Sequence, residues 1–198
     1  MLCGRTRDKS LDHPDLLPIF ATAARLGVPI FVHPQVPQRA VRDVYYSGFG
    51  DQVDAAFAAF ALGWHYEAGI QFVRLMLAGV FDQYPDLQII LGHWGEVVLF
   101  YLERLNSLAR VAKLQRPVAD YFRQNLYVTS SGMWSQSYLE RTIEIVGPER
   151  VIFSTDYPYQ YRPGGGARSF LNGLPLSIEQ KGLFAHGNWE RLTHSAPL

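Results

Sequence analysis

The chain has 198 residues, 48% of them hydrophobic, and its 18 basic and 18 acidic side chains cancel to a formal net charge of zero. That length supports one domain with a substantial core, and the charge balance argues against a nucleic-acid or anionic-membrane partner. The one cysteine, Cys3, leaves no internal disulfide and reads as a small packing residue, so a cytoplasmic setting is the expectation. No apolar run approaches the roughly 18 residues of a spanning helix, and no signal-peptide core stands at the N-terminus.

Met1 to Gly4 is short and apolar and reads as the end of a strand. Residues 14–26 open with Pro14, carry Leu16, Leu17, Ile19, Phe20, Ala23 and Ala24 at helical spacing, and stop at Gly27. That pattern predicts a helix capped by Asp12 or His13. Strand 28–33 follows and is ended by Pro34. The Pro- and Gly-rich stretch from Pro34 to Gly50 is too long for a simple connector, and its place after His33 predicts a lid or substrate loop. From Gln52 to Gln83 an Ala-rich helical pattern predicts two helices broken near Gly63 or Gly69. Tyr84-Pro85-Asp86 turns the chain into strand 87–92, and residues 95–113 read as a helix with Glu96 in its first turn, where the helix dipole favours a carboxylate. Strand 125–130, helix 135–146, strand 150–155 and closing helices over 177–194 complete the order, with a mobile-looking loop at 162–166. Strands alternating with helices predict an α/β domain over residues 1–198 with five parallel strands joined by right-handed crossovers.

Three of these strands end on polar residues: His33, His93 and Asp156. In parallel α/β folds such positions point into the ligand site. His33 and Asp156 are candidate ligands for a divalent metal. A catalytic zinc usually takes three protein ligands, no His-x-His pair is present, and at least one further donor is needed. Glu96 lies three residues after His93, close enough to accept a hydrogen bond that would fix the ring tautomer and raise its basicity. Trp94, Trp134, Tyr157 and Tyr159 lie next to the strand ends and would either sandwich a flat ligand or pack the rim. Arg39 and Arg42 could bind a substrate carboxylate, and Ser130 and Ser131 could line the pocket. His65, between Trp64 and Tyr66, reads as a partly buried packing residue; His13, His186 and His194 read as helix-end residues. There is no Gly-x-Ser-x-Gly elbow, no phosphate-binding loop and no Cys–His pairing.

The segments His33-Pro34, Gly92-His93-Trp94-Gly95-Glu96, Tyr127-Val128-Thr129-Ser130-Ser131-Gly132-Met133 and Ser154-Thr155-Asp156-Tyr157-Pro158 resemble the amidohydrolase-related metal-dependent TIM barrels. The match is to the branch of aminocarboxymuconate-semialdehyde, resorcylate and dihydroxybenzoate decarboxylases. The resemblance implies a partial (β/α)8 barrel, about strands four to eight. It makes His33 a metal-binding histidine on the fifth strand, Asp156 a metal-binding aspartate on the eighth, His93 the acid–base histidine and Glu96 its support. Trp94, Tyr157, Arg39 and Ser131 become candidate substrate contacts. The implied cofactor is a divalent metal, Zn2+ ahead of Mn2+, and the implied reaction is decarboxylation of a small aromatic or unsaturated carboxylic acid. A hydrolase of a lactone or amide, using metal-activated water with Asp156 as base, is the alternative within the superfamily. Members begin with a strand carrying a His-x-His or Glu-x-His pair, and this chain lacks that strand and the next two. The expectation is an open barrel with two bare edges and an exposed inner apolar layer, which is covered by a second copy in a homo-oligomer, by exchange of elements, or by the rest of a longer protein of which this is a fragment. A truncated barrel that serves only as a non-catalytic interaction module is the third reading.

Overall fold

A computed structural model describes residues 1–161, 163–164 and 166–194. Arg162 and Gly165, in the loop expected to be mobile, lie outside the described residues. Leu2–Cys3 forms β1, and Arg5–Thr6 (β2) pairs antiparallel with Lys9–Ser10 (β3) in a small hairpin. Ile30–His33 (β4), Ile89–Leu91 (β5), Leu126–Thr129 (β6) and Val151–Ile152 (β7) join β1 in one parallel sheet, in the order β1-β4-β5-β6-β7. The register sets Cys3 beside His33, Phe31 beside Ile90 and Ile90 beside Tyr127. All five expected strands are present, but they are shorter than the sequence suggested. At the β6 and β7 ends, side chains take over from the backbone ladder. Ser130 Oγ donates to Ser154 O at 2.8 Å and accepts from Ser154 N at 3.0 Å, so regular pairing stops before the loops begin.

The sheet is buried on both faces, as parallel sheets are. On one face Val32, Leu91, Val128 and Val151 pack into the main core with Phe20 and Phe72 from the covering helices. On the other face Ile90, Tyr127 and Ile152 form a second cluster with Leu192, from the helix Asn188–His194, and with partly buried Phe31. This second cluster is the inner layer expected to be exposed, yet Ile90 is 2%, Ile152 5% and Tyr127 9% exposed. Leu192 covers it, and the Arg150 guanidinium lies 4.7 Å over the Tyr127 ring. The outer edges of β1 and β7 carry no further strand among the described residues. Beside β1 runs an apolar groove lined by Leu2, Ile19, Leu26, Val28 and Pro29. Cys3, on that edge strand, is exposed rather than packed.

Two buried asparagines repeat one device at the starts of the strands. Asn125 Nδ2 donates to Pro85 O and Leu87 O, both at 2.8 Å, and Asn188 Nδ2 donates to Pro148 O and Val151 O, both at 2.7 Å. Each ties a helix end to the backbone entering a neighbouring strand and satisfies carbonyls that no ladder reaches.

The stretch from Pro34 to Gly50 is not an open loop: it holds the helix Arg39–Tyr45, and the helix Asp51–Ala56 opens the helical run expected from Gln52. The helix Gly63–Leu77 begins after a kinked segment at Phe57–Ala61, so the expected break falls at Gly63 and Gly69 lies in the helix interior. The expected helix at 95–113 is instead three short turns, Val98–Tyr101, Leu102–Leu105 and Asn106–Arg110. No helix among the described residues is long and apolar enough to cross a membrane.

Gly69 decides how closely the helix Gly63–Leu77 approaches the β5 end. A Cβ there would lie 2.4 Å from Glu96 O and 2.8 Å from Val98 Cγ1. Gly69→Ala is therefore expected to destabilise the chain by about 1–3 kcal/mol, read from the midpoint of urea unfolding. An unchanged midpoint would mean that the helix can move away without loss.

Candidate active site

The site is built where β5 ends. After Gly92 the backbone enters the left-handed region for five consecutive residues: His93 (φ 45°), Trp94 (57°), Gly95 (83°), Glu96 (50°) and Val97 (66°). Four of them carry side chains, and left-handed backbone costs such residues on the order of 1–2 kcal/mol each, so the turn stands only because its surroundings hold it. Trp94 is 1% exposed, donates its indole N–H to Met133 O at 2.9 Å, and lies 6.4 Å from the Phe184 ring at 29°. It is a core anchor for the turn, not the substrate contact expected of it. Gly95 is the one position where Leu99 leaves no room for a Cβ, which would sit 2.7 Å from Leu99 Cγ.

This turn, and not a helix dipole, accounts for Glu96. Its side chain is fully buried and lies between two imidazoles: His93 Nδ1 is 2.7 Å from Oε1 and His65 Nδ1 is 2.6 Å from Oε2. His65 comes from the helix Gly63–Leu77 and meets the His93 ring edge-on, centroids 4.4 Å apart. Sequence reasoning had His65 as a packing residue. The available signal was Gly69, one helical turn further along the same face, but nothing in the sequence said which backbone that glycine would approach.

Hydrogen-bond chemistry fixes the protons. An indole N–H can only donate, and Trp64 Nε1 lies 3.0 Å from His65 Nε2. In neutral His65 Nε2 is therefore the acceptor and Nδ1–H donates to Glu96. When His65 is charged, its Nε2–H has Phe60 O at 3.1 Å as acceptor. In His93 the Nδ1–H donates to Glu96, which leaves Nε2 as the free nitrogen of a ring whose side chain is 20% exposed. Burial pushes the Glu96 carboxyl up, but the hydrogen bonds from His65 and His93 outweigh it and hold the group below the usual glutamate range. Burial pushes His65 down, and its bond and charge contact with Glu96 reverse this, so that its pKa is raised. The ligand atoms of His65, His93 and Glu96 all lie within 4.8 Å of one another. The 2.6 and 2.7 Å separations are hydrogen-bond lengths, so a proton already occupies each gap.

The residues proposed as metal ligands are not members of that triad. His33 is exposed at the end of β4, with Nδ1 2.7 Å from Pro34 O. A carbonyl only accepts, so Nδ1 carries the proton and Nε2 keeps its lone pair, the arrangement of a metal-binding histidine. Asp156 is half-buried, left-handed at φ 56°, followed by a cis Tyr157–Pro158 bond, and close enough to His65 to help raise its pKa. Both donors suit a divalent metal, and they are two rather than three. The only group of three or more possible ligands among the described residues is the His65, His93 and Glu96 triad.

The remaining candidates divide. Ser131 is 7% exposed and left-handed, with Oγ 2.8 Å from Thr129 Oγ1 and its N–H donating to Ser154 Oγ at 2.9 Å. It forms the floor under Gly92, where a Cβ would lie 2.9 Å from Ser131 Oγ, and does not line an open pocket. Tyr157 (73% exposed) shares a hollow of about 150 Å³ with Trp134, Thr155, Gln160 and Tyr161, and Trp134 stacks on Phe153 at 5.4 Å. Tyr159 is exposed. The Arg39 side chain is exposed and pairs with Asp43 of its own helix at 3.5 Å. It and Arg42 line a shallow concavity with Arg5 and Asp8. His13 caps a helical turn by accepting from Asp15 N, and His186 pairs with Glu190 at 3.1 Å.

The two pKa shifts have opposite consequences for stability. Glu96, depressed, contributes stability that is complete above its ordinary value of 4.5 and is lost as pH falls through its folded value. His65, raised, contributes stability that is complete below its ordinary 6.5 and is lost as pH rises through its folded value. The contribution of the pair is therefore greatest between pH 4.5 and 6.5. Thermal melts across pH should show this window in the difference between the chain and Glu96→Gln, and the substitution should cost about 3 kcal/mol, because it leaves an amide donor facing a ring N–H. A difference that is flat with pH would show that Glu96 is not ionised between the two rings.

The sequence profile described as Amidohydrolase matches residues 4–192. The decarboxylase orsB of Emericella nidulans is 31% identical over 190 residues, 93% of this chain and 57% of that protein. The crystal structure of a 5-carboxyvanillate decarboxylase from Sphingomonas paucimobilis aligns with a TM-score of 0.85 at 31% identity, over 96% of this chain and 56% of that one. A dihydroxybenzoic acid decarboxylase from Polaromonas sp. JS666, solved with bound manganese and the inhibitor 2-nitroresorcinol, aligns with a TM-score of 0.84 at 26% identity, over 98% of this chain and 58% of that one. The chain spans a little over half the length of these relatives. The profile match over nearly every described residue and the shared parallel sheet lead to one conclusion: the chain belongs to the amidohydrolase family, and its five strands are part of that family's barrel.

Proposed function

We propose that residues 1–198 are the C-terminal portion of a metal-dependent decarboxylase acting on a small aromatic carboxylic acid. The observation that carries this reading is His93, whose Nδ1–H is fixed on buried Glu96 while Nε2 stays free. Such a ring, charged, delivers a proton from Nε2 to the ring carbon that bears the carboxylate. The carbon–carbon bond then breaks, its electron pair returns to the ring, and carbon dioxide leaves. No oxidant is consumed. Glu96 stabilises the charged imidazole before transfer and keeps the ring in place afterwards.

His33 Nε2 and the Asp156 carboxylate would hold a divalent metal, which when bound supplies Lewis-acid polarisation of a substrate oxygen. Manganese in the Polaromonas relative makes Mn2+ the first ion to test and removes the priority given to Zn2+. The exposed Tyr157 and the stacked Trp134, beside Asp156, would accept the flat ring of the substrate. The bare edge of β1 and its apolar groove support self-association, which solution mass measures.

The test is carbon dioxide release from a panel of hydroxybenzoates with Mn2+, using the chain and a version extended by the missing strands. Turnover by the extended protein is expected, with His93→Ala lowering kcat by at least about a hundredfold. Ring opening or ester cleavage without loss of carbon would replace the reading with a hydrolase. Absence of any turnover in the extended protein would leave a non-catalytic barrel.

A further inference from the structure

A buried carboxylate has two oxygens to satisfy. In this chain the second oxygen of Glu96 is taken by a side chain that the proposed proton transfer does not use. His65 Nδ1 lies 2.6 Å from Oε2, and its Nε2 lies 3.0 Å from Trp64 Nε1 and 3.1 Å from Phe60 O. The helix that carries it is seated on the Glu96 backbone through Gly69, where no Cβ would fit. The torsion that turns a carboxylate about its last bond is soft, so a single donor on Oε1 would leave the plane of Glu96 free to swing and His93 with it.

We propose that His65 is a positioning residue for His93: by holding Oε2 it fixes the plane of Glu96, so that Oε1 stays on His93 Nδ1 and Nε2 remains the only nitrogen free to exchange a proton. The order of donors makes this possible. In neutral His65 the Trp64 N–H is donated to Nε2, and in charged His65 the Nε2–H has Phe60 O as acceptor, so in both forms the Nδ1 proton stays directed at Glu96. Two N–H donors on one carboxylate also weaken its pull on either proton, so that Glu96 orients the His93 ring without stripping its Nδ1 proton. His65 touches no reacting atom in this scheme. The role rests on the decarboxylase reading only for its kinetic consequence.

Imidazole nitrogen NMR on the 198-residue chain, without metal or substrate, tests the geometry apart from turnover. In the chain His93 is expected as a single Nδ1–H tautomer with a downfield ring N–H proton. His65→Leu should turn His93 into a mixture of tautomers and move that proton upfield. His65→Asn, whose amide nitrogen lies near the Nδ1 position, should restore the single tautomer. If the leucine chain does not fold, His65→Gln, with its donor displaced toward the Nε2 position, is expected to give the same mixture. A folded His65→Leu or His65→Gln chain with an unaltered His93 would overturn the proposal, as would an asparagine variant that behaves like leucine. Where turnover of an aromatic acid is measured, His65→Leu should lower kcat about tenfold with KM within twofold, and a change in KM alone would also overturn it. Absence of turnover in every form would remove the decarboxylase reading while the NMR result still decides the role of His65.

Discussion

A carboxylate without access to water, held between two imidazole N–H groups, is the constraint around which the candidate site of this chain is organised. Burial drives the Glu96 carboxyl toward its neutral form, and the hydrogen bonds from the two imidazoles outweigh it. Each partner comes from a different part of the chain. His93 is brought round by the left-handed turn that follows β5, and His65 by a helix that must approach within contact of the same turn. The strain of five left-handed residues is local, but what balances it is not: Trp94 is gripped by the Met133 carbonyl and Phe184, and Gly69 makes room for the Glu96 backbone. The turn, the helix and the far loops therefore hold as one unit.

Around that unit, the strand ends use side chains where a regular sheet would use backbone. The Ser130–Ser154 exchange and the Thr129–Ser131 contact stop the ladder at β6 and β7 and stiffen the floor beneath Gly92. At the opposite end Asn125 and Asn188 do the equivalent work for stability, capping carbonyls where strands begin. The division follows the general rule for parallel barrels, in which the carboxyl ends carry chemistry and the amino ends carry stability. Leu192 and Arg150 close over the inner layer of the five-stranded sheet, whose Ile90, Tyr127 and Ile152 are buried.

The candidate metal donors differ from Glu96 in exposure. His33 is exposed, with one nitrogen committed to a backbone carbonyl and the other open, and Asp156 is half-buried beside His65. The triad is saturated by its own hydrogen bonds, whereas His33 Nε2 and the Asp156 carboxylate are the donors proposed for a metal. Two donors are fewer than a catalytic metal usually takes from protein.

By itself the sequence determined the five parallel strands and the polar residues His33, His93 and Asp156 at or just beyond the ends of β4, β5 and β7, because strand periodicity, prolines and glycines act over a few neighbouring residues. It also placed Glu96 within reach of His93, since three residues across a tight turn are close in any backbone. Only the tertiary structure decided that the turn is left-handed and not the start of a helix, and it thereby moved Trp94 from the substrate side into the core and buried Ser131 beneath Gly92. Only it brought His65 to Glu96 across 31 residues and laid Leu192 over Ile90 and Tyr127. Those outcomes depend on which surfaces meet when distant segments pack, and a contact between a helix glycine and a remote carbonyl leaves no periodicity in the chain that makes it.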